Sequence, residues 1–286
     1  MRPTRRTVLS AAPALLATPA WAAAPPIAAL GDYERSCGGH VGLFARNLET
    51  AATLAWRADE RFVMCSTFKA SLAGLVLSRV DVGLDRLESH VRFGAGDLLT
   101  YAPVARAHLS RGVLSVGELC AAAVEYSDNT CANLLLARVG GPAQLTRFWR
   151  TLGDGQSRLD HNEPMLNRTP PGDVQDTTTP AAMAGTLRRL VLGDALSRTS
   201  RQRLIEWLVA CKTGADRLRG GLPGSWTVGD KTGSNGHDAF GDIAVAWSSQ
   251  SEAIVVCAYT WGGSPSAEIV ATTFKEIGAL VAARLA

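Results

Sequence analysis

Apolar and polar positions follow one rhythm near the two ends of the chain and another in the middle. Residues 40–46 read as a strand, and residues 52–56 follow after a short polar turn, as in a hairpin. Toward the C-terminus, residues 226–228, 242–247 and 253–259 are apolar runs with short polar links, which predicts an antiparallel meander. Between these regions the pattern becomes helical, over residues 66–80, 115–139, 142–152, 179–192 and 200–210. Several of these runs open on Ser, Thr or Pro, which suit the start of a helix. Residues 266–285 form a last amphipathic helix. If strands from both ends share one sheet, the helical middle is an insertion between its halves. The expected fold is α/β plus all-α: an antiparallel five-stranded sheet flanked by helices, built from both termini, with an inserted helical domain.

The expected division is 23–60 with 211–286 for the α/β part and 61–210 for the helical part. A cleft between two such parts is a natural ligand site. Residues 153–178 are rich in Gly, Asp, Asn and Pro and too long for a simple connection. Loops of that size are usually functional or disordered, and an omega-type loop is expected over 158–176.

Charge changes the picture at the N-terminus only. The 286 residues carry 29 Lys+Arg against 26 Asp+Glu, a formal net charge of +3. Arg2, Arg5 and Arg6 precede the first acidic residue, Asp32; without them 26 basic residues balance 26 acidic ones. A neutral body argues against nucleic acid as a partner. Those arginines open a basic, then apolar, then Ala-rich order that reads as a secretory signal over residues 1–22. Thr4-Arg5-Arg6-Thr7 resembles a twin-arginine export signal. The expected location is periplasmic, with cleavage after Ala22 or Ala23 and no membrane association afterwards. The six cysteines include no CxxC pair and no zinc-like spacing with histidine, so no metal is expected. Cys120 and Cys131 are expected on one helix, too far apart along its axis to bond.

Four short segments can carry chemistry. Ser66 and Lys69 open a helix-like run three residues apart, so the amine can approach the hydroxyl. A serine needs a base to become a nucleophile, and a desolvated lysine can serve. Ser127, Asp128 and Asn129 interrupt an apolar, Ala-rich run: Ser127 can relay a proton and Asn129 can donate to an amide, or the three form a polar turn. Lys231, Thr232, Gly233 and Ser234 follow a strand; Lys231 can hold a carboxylate, and the Ser234 N–H can join that of Ser66 in an oxyanion hole. A plain β-turn fits the same residues. In the long loop, Glu163 and Asn167 can grip a water, with Glu163 as general base.

Taken together, the order and spacing of these segments resemble the class A serine β-lactamases, from about residue 27 to the C-terminus. The flanks strengthen the resemblance: Arg61 to Cys65 before the serine, Pro171-Gly172-Asp173 and residues 176–180 after the glutamate, and Val228-Gly229-Asp230 before Lys231. The resemblance implies hydrolysis of the β-lactam ring of penicillins and cephalosporins through a serine acyl-enzyme, and so antibiotic resistance. It implies Ser66 as the acylated nucleophile, Lys69 and Ser127 as proton shuttles, and Glu163 with Asn167 as holders of the hydrolytic water. Asn129, Lys231, Thr232 and Ser234 would contact substrate, Arg217 would lie near its carboxylate, and Tyr101 would stand at the cleft mouth. No cofactor is implied, the only partner is a small lactam, and a monomer is expected. A penicillin-binding peptidase shares the serine, the lysine and the Lys231 segment, but Glu163 with Asn167 favours the hydrolase. A membrane-fused lactam sensor would need a span, which this sequence lacks.

Two departures stand out. Some members link a cysteine before the nucleophile to one after the Lys231 segment; Cys65 matches the first, but Asn235 stands at the second. In others the partner of Cys120 falls on Ala73. Neither family disulfide is therefore expected. His161 stands where most relatives carry an arginine paired with the position of Asp176. Arginine is always charged and binds carboxylate through two bonds, and histidine does neither reliably. A looser, more pH-sensitive loop is expected, with a gain in thermal stability and altered turnover of bulky cephalosporins in His161→Arg.

Overall fold

The computed structural model describes residues 28–286 except 171, 249 and 251, so the export segment expected at residues 1–22 lies outside the described residues. The described chain opens on helix α1 (Ala28–Cys37) and the hairpin β1 (His40–Asn47) and β2 (Thr53–Trp56). Strand β3 (Phe62–Val63) and a 3-10 turn, Cys65–Thr67, lead into α2 (Phe68–Asp81). Next come β4 (His90–Arg92), α3 (Pro103–Ala107), β5 (Val113–Ser115), α4 (Val116–Glu125), α5 (Asn129–Val139) and α6 (Pro142–Thr151). The long loop ends in β6 (Thr177–Thr178), followed by α7 (Pro180–Val191) and α8 (Arg198–Val209). Strands β7 (Thr227–Ser234), β8 (Phe240–Trp247) and β9 (Ala253–Trp261) and helix α9 (Ala267–Leu285) complete the fold.

The two ends of the chain meet in one antiparallel sheet of order β2-β1-β9-β8-β7. The join is β1 on β9, in register from His40↔Trp261 to Asn47↔Ile254. One face of the sheet buries Val41, Phe274, Ile277 and Val281 with α1 and α9. The other buries Ile243 and Tyr259 against the helical half, with Phe68, Leu72 and Trp149. Cover on both faces explains why β8 and β9 read as continuous apolar runs rather than alternating ones. Helix α2 is buried around most of its circumference, which makes it the axis of the helical half.

The run expected as one helix over 115–139 is two helices, which corrects the placement of Cys120 and Cys131 on a single one. The break has a local cause. Ala122 O accepts both the Tyr126 and the Asp128 N–H, and Ser127 sits at φ 58°. Asp128 then caps α5 by accepting from Cys131 N at 2.9 Å. Its other oxygen accepts from Val104 N and Ala105 N, both at 2.9 Å, which ties α3 to the same point. An aspartate that satisfies several orphan N–H groups in a cap outcompetes one more turn of helix. Strand β7 continues through Ser234, so the Lys231 segment lies within the strand and the plain β-turn that also fitted its residues does not form.

Candidate active site

β7 is the edge strand nearest the helical half, and it passes the turn that carries Ser66. A Cβ on Gly233 would sit 2.9 Å from Met64 O and 3.1 Å from Ser66 N. Only glycine permits that approach, which brings an edge strand and the first turn of a helix to one point. Cys65, just before the nucleophile, holds φ 45°, a conformation costing a non-glycine residue about 1–3 kcal/mol. Such strain is tolerated where the surroundings over-determine it, and Cys65 is completely buried.

Lys69, in the first turn of α2, is completely buried. Its Nζ donates to Ser127 O at 2.8 Å and to Asn129 Oδ1 at 2.5 Å, and lies 3.2 Å from Glu163 Oε1. Ser127 Oγ is farther, at 3.4 Å. Burial pushes the Lys69 amine down from its ordinary value, opposed by the charge and hydrogen bond of Glu163. The Ser66 hydroxyl donates to Glu163 Oε1 at 3.0 Å, so serine and lysine meet at one carboxylate oxygen. Asn167 Nδ2 donates to the other oxygen, Oε2, at 2.7 Å.

Asn133 holds Glu163 in place from α5, and the sequence reading missed it. Its Nδ2 donates to Glu163 O at 2.9 Å, and Glu163 N donates to its Oδ1 at 3.0 Å. The signal was available: Asn133 lies four residues after Asn129, on the same face of one helix. Thr213 was also missed; its hydroxyl meets that of Thr232 at 2.5 Å.

Lys231 is the second completely buried lysine. It donates to Ser127 Oγ at 3.0 Å and to Thr232 O at 2.7 Å, so Ser127 bridges the two lysines. Burial first, and the nearby Lys69 charge second, push Lys231 down to about 8. Arg217 stands beside β7 with its guanidinium 5.6 Å from the ring of Phe240 and 5.4 Å from that of Phe274. Its Nε is buried without a hydrogen-bond partner. These groups surround a cleft of about 720 Å³, lined by Ser66, Tyr101, Ser127, Asn129, Glu163, Asn167, Arg217, Thr232 and Ser234, with Arg168 and His237 adding to its mouth. Lys69 and Lys231 lie beneath its floor, so every residue singled out for the site in the sequence converges here.

The loop that carries Glu163 is closed at its base. Arg158 N donates to Thr177 O at 3.0 Å, and Arg158 pairs with Asp160. Asp176 Oδ1 accepts from the N–H groups of Asp160 and His161, while His161 Nδ1 lies 2.7 Å from Asp176 Oδ2. Histidine thus reaches the carboxylate, with one contact where arginine can make two. That hydrogen bond raises the His161 pKa above its ordinary value, with the charges of Asp160 and Asp173 adding to it. A raised folded value stabilises the fold at low pH, in full below the unfolded pKa of about 6.5, and the gain is lost as pH rises through the folded value. The melting temperature should therefore fall over that window. His161→Arg should flatten the fall and raise Tm at pH 8 by roughly 1–3 °C, a half-exposed pair being partly screened. Thermal melts of both proteins from pH 5 to 9 test this, and parallel curves would remove His161 as the cause.

All six cysteines are free thiols, five of them buried. No helix among the described residues is long and apolar enough to cross a membrane.

The family model described as "Beta-lactamase enzyme family" matches residues 25–285. The chain is 45% identical to beta-lactamase CTX-M-25 of Escherichia coli over 239 residues, 84% of this chain and 82% of that one. A solved ancestral class A beta-lactamase superimposes with a TM-score of 0.85 at 52% identity, covering 88% of this chain and 96% of that one. A beta lactamase from Xanthomonas campestris superimposes with a TM-score of 0.87 at 44% identity, covering 90% and 96%.

Proposed function

The chain belongs to the class A serine β-lactamases, which hydrolyse the lactam ring of penicillins and cephalosporins through a serine acyl-enzyme and so confer resistance, and from that premise we propose a role for each residue of the cleft. Ser66 Oγ attacks the lactam carbonyl. The N–H groups of Ser66 and Ser234 receive the developing oxyanion, donors fixed in place before the charge appears. Ser127 passes a proton to the leaving ring nitrogen and is supplied through Lys69 or Lys231, which lie 3.4 and 3.0 Å from its oxygen. The substrate carboxylate lies toward Lys231, Thr232, Ser234 and Arg217, Asn129 contacts its amide side chain, and Tyr101 stacks at the mouth. Glu163, with Asn167, then activates the water that cleaves the ester.

The observation that carries this reading is the 3.0 Å hydrogen bond from Ser66 Oγ to Glu163 Oε1. A base that touches the nucleophile's oxygen can direct water at the ester formed there, and an enzyme that only acylates needs no such group. The same contact supports Glu163 over Lys69 as acceptor of the serine proton, since Lys69 Nζ is engaged by Ser127, Asn129 and Glu163. Hydrolysis of a chromogenic cephalosporin by the purified chain tests the whole reading. Many turnovers per enzyme are expected, with a transient adduct on the peptide containing Ser66 in rapidly quenched samples. A single stoichiometric burst would point instead to a peptidase.

The depressed Lys231 amine sets a pH limit. The free enzyme loses this positive charge above about 8, and with it the attraction for a carboxylate. The ratio kcat/KM, which reports the free enzyme, should fall above that pH by up to about tenfold per unit, while kcat holds to higher pH because a bound carboxylate favours the ammonium. Lys231→Arg should move the alkaline limb beyond the accessible range. An alkaline limb that stays in place would assign it to another group.

The same reading places the working enzyme in the periplasm as a monomer, exported by the twin-arginine route and cleaved after Ala22 or Ala23. It divides the chain into a sheet unit, 23–60 with 211–286, and a helical unit, 61–210.

A further inference from the structure

A second hollow of about 650 Å³ lies between the sheet and α7, with none of the cleft residues in its walls. One wall is the sheet: Phe44 and Arg46 project from β1 beside Val255 of β9, with Arg46 and Val255 directly paired in register. The other wall is α7, which presents Ala184, Gly185 and Arg188. The opening exists because that helix face is small: a Cβ added to Gly185 would meet nothing within 4 Å. Phe44, Leu48, Ala184, Leu192 and Val255 give the lining an apolar part, with one exposed arginine on each side.

Those two arginines face one hollow from opposite walls with no carboxylate among the described residues bound to either. Arg57, Arg138, Arg158 and Arg219 each hold a carboxylate. Among the described residues neither the Arg46 nor the Arg188 side chain takes part in an ion pair or a hydrogen bond. Glu49 also reaches the rim, so the hollow keeps a net positive charge of two guanidiniums against one carboxylate. Guanidinium pairs bind carboxylates well, and a concave apolar trough beside them accepts an aliphatic chain. We propose that this hollow binds an amphiphilic carboxylate, with the aliphatic tail against Phe44, Ala184 and Val255 and the anionic head between Arg46 and Arg188.

Calorimetric titration of the purified chain with sodium decanoate, below its micelle concentration, tests the proposal. One saturable site is expected, with no comparable site for decyltrimethylammonium. Arg46→Glu/Arg188→Glu should weaken binding at least tenfold. Gly185→Leu should abolish it by filling the trough; leucine is the better helix former, so α7 should hold. Both variants should hydrolyse a cephalosporin at the unaltered rate. Absence of saturable binding, equal binding of the cationic amphiphile, or decanoate affinity unchanged in either variant would overturn the site. Displacement of decanoate by acylation of Ser66 would place it in the catalytic cleft and overturn the site as well.

Discussion

Glu163→Gln is expected to acylate once and then stall, with steady-state turnover lowered by about 10²–10⁴-fold, the range a positioned general base supplies. Glutamine keeps the shape and can still meet Ser66, Lys69 and Asn167, but it cannot take a proton from water. The adduct on Ser66 should therefore accumulate to one equivalent and be visible by mass spectrometry of the intact protein. The rate of the burst carries a second answer. If Glu163 also accepts the serine proton, as the 3.0 Å contact from Ser66 Oγ supports, the burst itself slows by a comparable factor. If Lys69 accepts it, the burst keeps its rate while turnover collapses. Undiminished turnover in this variant would remove Glu163 from the hydrolytic step.

Much of this cleft was legible in the sequence because each part carries a local signal. The serine and lysine share a helix face, and the polar break at Ser127 to Asn129 stands out in an apolar run. What periodicity could not supply was the long-range contact. The run over 115–139 looked continuous because the apolar spacing survives the break on both sides, while the cap on α5 depends on an Asp128 side chain that also serves α3. The Lys231 segment fitted a strand edge or a turn equally, because Lys and Gly are poor strand formers. It is strand because β8 pairs with it through Ser234↔Phe240 and because Gly233 must let β7 approach the Ser66 turn. Helix α1 has little pattern of its own; it buries Leu30 and Tyr33 and is held by the sheet face it covers. Asn133 shows the converse case, a site residue at readable spacing whose role rests on a backbone thirty residues away.

The two buried lysines make the cleft a place where stability and chemistry can be separated. Lys69 is enclosed, and the carboxylate of Glu163 beside it is nearly so. Lys69→Met preserves length and apolar bulk but removes the counter-charge. Removing one member of a buried pair costs about 3–5 kcal/mol, because the other charge is left in a poor solvent. The lower end is expected here, since Glu163 retains donors from Ser66 and Asn167. A fall in Tm on the order of 10 °C follows for a chain of this size. Catalysis should fall with it, by about 10²–10⁴-fold in kcat/KM, through loss of the proton path to Ser127. The double variant Lys69→Met/Glu163→Gln then separates the two effects. With the carboxylate neutralised, the buried charge is gone and most of the lost Tm should return, a strongly non-additive result for residues in contact. Activity should not return, because both proton-handling groups are absent. A double variant no more stable than Lys69→Met alone would show that the cost lies in packing around the lysine stem rather than in the unpaired charge.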